Sequence, residues 1–155
     1  MPRNPDTPGV IVFPPVLFAI TMMVGVAFHF LLPLHVFPTW PARVVGVLVL
    51  VAGTLLVRWG RNTMVRMGTS VRPDQPSTAL VLEGPFRFTR NPLYLGTTGM
   101  YLGVALLIDD LWPLILVLPM LAVLEWGVIR REERYLEMKF GEAYRAYQAK
   151  VRQWF

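Results

Sequence analysis

Charge is absent from long stretches of this chain and crowded into others, and that alternation predicts its elements. Residues 13–34 form a run of 22 positions without a formal charge. That is enough to cross a hydrocarbon core of about 30 Å at about 1.5 Å per residue. A first membrane span is therefore predicted there. Pro33, Pro38 and Pro41 punctuate the short loop that follows, and Trp40 is placed as an interfacial anchor. A second span is predicted over 42–59, with Arg43 and Arg58 free to snorkel from its ends. The third and fourth, over 92–108 and 111–129, are separated only by Asp109 and Asp110 and so form a tight helical hairpin. Pro92 falls in the first turn of its helix, where a missing N–H costs little. Pro113 and Pro119 lie inside the fourth span, where neighbouring groups can satisfy the freed carbonyls.

The polar stretches orient this set. Arg58, Arg61, Arg66, Arg72, Arg87 and Arg90 lie between spans two and three. Arg130, Arg131, Arg134, Lys139, Arg145, Lys150 and Arg152 follow span four. Thirteen of the fifteen basic residues thus fall on one side, which the positive-inside rule makes cytoplasmic, and four crossings put both termini there too. The expected fold class is an all-α integral membrane bundle in the cell (inner) membrane, one domain over 1–155.

Composition changes this picture little. The chain is 54% hydrophobic and 16% charged, well under the quarter usual in soluble domains. The net charge of +5 reads as topology and attraction to anionic headgroups, with no nucleic acid expected as a partner. The first nine residues, with Arg3 offset by Asp6, do not read as a cleaved leader, because the apolar run after them is too long. Absence of cysteine excludes disulfides, thiolate metal sites and cysteine nucleophiles. GxSxG, P-loop and HExxH motifs are missing, and the eight methionines read as core filler and lipid contact. His29 and His35 lack a second ligand at i+4, so no metal is expected.

Candidate chemistry concentrates at the cytoplasmic boundary in three places. Residues 83–103 (EGPFRFTRNPLYLGTTGMYLG) place Arg87 and Arg90 around a short aromatic segment, with Asn91 as an N-cap before Pro92. Gly96, Gly99 and Gly103 then give the helix a small-residue face, for close helix packing or for a flat cofactor. After span four, Glu132 and Glu133 stand amid three arginines. The stripe Leu136, Phe140, Tyr144, Tyr147, Val151 and Trp154 makes an amphipathic cytoplasmic helix suited to a membrane surface, with Gly141 as a bend. Third is Glu125, an ionisable group at membrane depth, either functional or the partner of an arginine such as Arg58. Its spacing to Ile129, Glu132 and Glu133 places it on the face of the tail carboxylates.

The segment NPLYLGTTGMYLG, residues 91–103, closely resembles the matching stretch of phosphatidylethanolamine N-methyltransferases. Arg131-Glu132-Glu133 followed by FGEAYRAY, residues 140–147, resembles isoprenylcysteine carboxyl methyltransferases and their bacterial relatives, which share one membrane-methyltransferase superfamily with the former. The resemblance implies an S-adenosylmethionine site lined by Arg90, Asn91, Pro92, Tyr94 and Gly96, with Tyr101 two turns below Tyr94, and closed by Glu132 and Glu133. It implies methyl transfer to a lipid or other apolar small molecule. A carboxylate acceptor would be positioned by Arg87 or Arg90, whereas an amine acceptor would bring in Glu125 or a tyrosine as base. Of the G-x-G that the phospholipid enzymes carry in an earlier span, only Gly53 finds a match. The isoprenylcysteine enzymes commonly have histidine where this chain has Asn91, so any role needing an imidazole there is lost. The main rival is an NADPH-dependent membrane reductase of the sterol or polyprenol type. A small multidrug transporter would need an acidic residue deep in span one, which has none.

Overall fold

The computed structural model describes residues 6–35 and 39–154, and Arg3 and Pro38 lie outside the described residues. Every regular element among the described residues is helical: α1 (Pro14–Leu31), α2 (Thr39–Arg66), a single 3₁₀ turn (Gly84–Arg87), α3 (Pro92–Ile108), α4 (Leu111–Leu124), α5 (Arg130–Phe140) and α6 (Glu142–Lys150). A five-residue π turn, Glu125–Ile129, joins α4 to α5 without a break. Pro14–Leu31, Trp40–Arg66 and Leu111–Phe140 are long and apolar enough to cross a membrane, and Pro92–Ile108 is a shorter apolar helix beside them.

The predicted boundaries shift for local reasons. α1 stops at Leu31, three residues short of the expected end, because a residue preceding Pro33 is disfavoured in helical geometry and Leu32 leaves the helical region (φ −146°, ψ 70°). α2 overruns its predicted span at both ends. Pro41 falls in its first turn, where no backbone donor is needed, and the polar turns after Trp59 carry the helix beyond the apolar stretch. α3 keeps the predicted bounds. The hairpin turn is as short as expected, with Asp109 left-handed (φ 57°) and Asp110 capping α4 by accepting from the Trp112 N–H at 2.9 Å.

α3 packs along α2, and α4 along α1. The α2–α3 contact is a meeting of glycines. On α2, Gly46, Gly53 and Gly60 recur every seven residues. A Cβ on Gly53 would sit 2.5 Å from the Gly96 carbonyl oxygen, and one on Gly46 would sit 2.9 Å from that of Gly103. The backbones approach this closely only because neither side carries a side chain. Gly53, Gly96 and Gly103 are therefore packing residues, the first of the two readings open for that face.

Phe18, Tyr101, Val117, Met120, Leu124, Val128 and Ile129 form the buried core between α1, α3 and the α4–α5 rod. Val44, Val47, Leu48, Val51 and Leu55 stay exposed along one face of α2, as a lipid-facing helix requires.

The tail departs most from expectation. Gly141 (φ 52°, ψ −126°) breaks the helix into α5 and α6 rather than bending it. α6 then folds back against the 3₁₀ turn and Arg90, the Tyr147 hydroxyl donating to the Phe86 carbonyl at 2.7 Å. Tyr144 and Tyr147 are buried, and Trp154 packs against the core cluster. The Arg90 N–H donates to the Arg152 carbonyl and the Thr89 hydroxyl to that of Gln153.

Candidate active site

The N-terminal ends of α3 and α5 face each other across a cavity that opens to solvent. The loop 69–81 and Met64 form its outer wall, and Phe86, Tyr144 and Tyr147 lie on the lining as well. Its polar centre is a set of two acid pairings. The Tyr94 hydroxyl donates to Glu132 Oε1 at 2.7 Å. Arg90 meets Glu133 Oε1 through Nε at 2.9 Å and Nη2 at 2.8 Å, while its Nη1 donates to the carbonyls of Gln148 and Val151. One guanidinium therefore fixes α5 and the tail together beside the start of α3, using the fork geometry a lysine lacks.

The π turn aims these carboxylates. Across it the Arg130 N–H reaches back five residues to the Glu125 carbonyl. One residue inserted into an α-helix turns everything beyond it by about 100° relative to the helix before. Glu125 follows the same register, its Oε1 accepting from Arg130 Nε at 3.0 Å and its Oε2 from Gln153 Nε2 at 2.7 Å. The Ile11 N–H donates to the Gly127 carbonyl at 3.0 Å, so the N-terminal segment crosses the turn and occupies one of its acceptors. That segment continues to Pro8 on the cavity rim and to Asp6, which is held by Tyr135 and Lys139. The Tyr135 hydroxyl also accepts from the Ser77 N–H at 3.0 Å, so a single phenol joins α5, the N-terminal segment and the loop wall.

Electrostatics follow from burial. Glu132 is drawn up to about 7, chiefly because burial disfavours its charge; the Tyr94 bond offsets this in part and the neighbouring Glu133 charge adds to it. Burial also raises Glu133, but the adjacent Arg90 guanidinium counters much of the effect. The site thus presents one carboxylate compensated by a permanent cation and one held only by a neutral phenol.

Of the residues singled out in the sequence, Arg90, Asn91, Pro92, Tyr94, Glu132 and Glu133 line the cavity together. Four others lie elsewhere. Gly96 is spent on the α2 crossing, and Tyr101 is buried in the core with its hydroxyl donating to the Pro113 carbonyl at 2.9 Å. Arg87 is exposed on the 3₁₀ turn. Glu125 pairs with Arg130 and Gln153 rather than with Arg58. Asn91 does not cap α3; its side-chain amide donates to the Gln153 carbonyl at 3.2 Å. Sequence reasoning missed the loop 69–81, whose polar, Pro-interrupted composition carries no motif. It also read Tyr144 and Tyr147 as membrane-facing because their helical spacing says nothing about which apolar surface covers them.

A model of the phospholipid methyltransferase family matches residues 41–143, the stretch from α2 into α6 that contains both acid pairings. An uncharacterized protein of Haemophilus influenzae is 40% identical over 62 residues, 40% of this chain and 78% of that one. No solved structure matches the chain. With two thirds of its length covered, and with Arg90, Tyr94, Glu132 and Glu133 all inside the matched stretch, the chain belongs to the phospholipid methyltransferase family.

Proposed function

We propose that this multi-pass membrane protein transfers the methyl group of S-adenosylmethionine to a lipidic acceptor at the cytoplasmic face of the inner membrane, with both termini on that side. The observation that carries the reading is the pair of carboxylates, Glu132 and Glu133, held by Tyr94 and Arg90 on the wall of a cavity at the end of an apolar bundle. The donor set suits the cofactor: carboxylates for ribose hydroxyls or an ammonium group, and tyrosine rings for a cationic centre. When bound, S-adenosylmethionine supplies an electrophilic methyl on a sulfonium, and positive charge is lost from that centre as the methyl moves. The chain's own contribution is alignment and exclusion of water, which a cavity walled by Leu80, Val81, Phe86 and Leu93 supports. The acceptor enters sideways from the bilayer. The family match favours this chemistry over an NADPH-dependent reduction.

An amine acceptor is preferred to a carboxylate. The cationic side chains on the lining, Arg72 and Arg90, are each paired, to Asp74 at 2.7 Å and to Glu133. A carboxylate acceptor would therefore meet no uncommitted cation among the described lining residues. Purified protein incubated with labelled S-adenosylmethionine and vesicles containing either an aminophospholipid or a long-chain carboxylic acid tests both statements. Label on the amine supports them, label on the acid refutes the preference, and no labelled lipid refutes the activity.

A further inference from the structure

The two histidines of the chain come together at the opposite end of the bundle from the cavity. His29 lies in the last turn of α1, and His35 follows that helix. Asp110 starts α4 just after the hairpin turn. The sequence gives no hint of a cluster, because Asp110 lies 81 residues from His29. In the fold, one ligand atom from each of the three lies within 4.8 Å of the other two. His29 Nδ1 and Asp110 Oδ2 are 2.9 Å apart, and the imidazole rings of His29 and His35 meet edge to face with centroids 5.7 Å apart.

We propose that His29, His35 and Asp110 form a binding site for a borderline-soft divalent cation of the zinc, nickel or cobalt class. Two imidazoles and a carboxylate with a fourth position left to water form a donor set that such ions take up. Ligand atoms of a tetrahedral ion with bonds near 2.0 Å stand about 3.3 Å apart, so the His29–Asp110 pair needs only a slight opening. His35 Nδ1 lies 2.9 Å from the Asp109 carbonyl oxygen, which can only accept. That nitrogen therefore carries the proton, which leaves the Nε2 lone pair available, an orientation typical of ligating histidines whose second nitrogen is held by an oxygen.

The surroundings favour a preformed site. Asp110 is fully buried on its side chain and fixed by two backbone donors, Trp112 N–H on Oδ1 and Leu34 N–H on Oδ2. His29 is held on α1, while His35 sits on exposed coil and can close inward by the remaining 1 to 2 Å, on the order set by the same bond lengths. An ion there replaces the proton shared by His29 and Asp110. It ties the end of α1 to the α3–α4 turn, at the face opposite the proposed reaction.

Cobalt titration of tag-free, full-length protein in detergent micelles tests this. The expected result is one equivalent bound with micromolar affinity and an intense visible absorption of four-coordinate cobalt, displaced by zinc. His35→Ala lies on exposed coil and should leave the metal-free melting temperature and methyl transfer unchanged while weakening cobalt binding at least tenfold; His29→Gln should do the same to binding. No saturable binding below 1 mM cobalt overturns the proposal, and so does equal affinity in the wild type and His35→Ala. Neither outcome depends on whether the cytoplasmic cavity methylates anything.

Discussion

The Tyr94 hydroxyl and Glu132 Oε1 sit 2.7 Å apart, joining the first turn of α3 to the first turn of α5 across the mouth of the cavity. Because this bond holds the carboxylate closer to its ionised form, Tyr94→Phe should push Glu132 further up. The expected outcome is roughly tenfold weaker S-adenosylmethionine binding at pH 7, about 1.4 kcal/mol. Calorimetry across pH checks it. Recovery of affinity at higher pH is expected, and a pH-independent loss would point to damage of another kind.

Glu132 itself carries a stability cost that depends on pH. Its folded value of about 7 lies above the ordinary 4.5. The fold therefore favours the protonated form, and the associated stability is full below about 4.5 and lost as pH rises toward and through 7. Glu132→Gln should leave melting near pH 4.5 unchanged and raise stability at pH 8 by up to roughly 3 kcal/mol, while weakening cofactor binding. Melting curves of both proteins at the two pH values measure the difference, and equal shifts at both would refute it.

Arg90 joins two segments through three groups at once. Arg90→Lys keeps the charge but cannot reproduce the contacts to Glu133 and the carbonyls of Gln148 and Val151. Leaving a buried acid poorly paired costs about 3 kcal/mol. Release of the tail after residue 141 should be visible as faster amide exchange over α6, with α2 and α3 unaffected.

The α2–α3 crossing offers a paired test. Gly53→Ala would place a methyl 2.5 Å from the Gly96 carbonyl, whereas one at Gly99 meets its nearest atom at an ordinary 3.5 Å. The first should destabilise by about 1–3 kcal/mol, as overpacking does, and the second by less than 1. Thermal melting of the two variants in the same detergent decides it. Equal effects would mean that the helices separate easily.

The frame was legible because lipid solvent leaves little choice: uncharged runs of the right length must be helices, and arginines mark one face. Tyr94, Arg90 and the two glutamates were legible as a group through the resemblance, since helical spacing alone could not bring residues 38 and 43 positions apart into contact. The heptad of Gly46, Gly53 and Gly60 was present in the sequence and would have assigned Gly53 and Gly96 to packing. Two features were not legible. The π turn leaves no mark in residue type, and Gly141 marks a break without saying where the following helix goes. That return of α6 turned an apparently membrane-facing stripe into the wall of the site.

The five-residue turn at Glu125–Ile129 makes the chemistry depend on counting. On the exposed side of the rod before it, at Ile115, Leu118 and Val123, one aliphatic residue serves lipid as well as another, so composition there is free to drift. Length is not. Deleting a single residue between α4 and α5 would restore the ordinary hydrogen-bond ladder and swing Glu132 and Glu133 away from their partners by about a quarter turn. Such a variant would still insert and still span the bilayer. This family member should therefore accept many replacements on the exposed side of α4 and almost no insertions or deletions between α4 and α5.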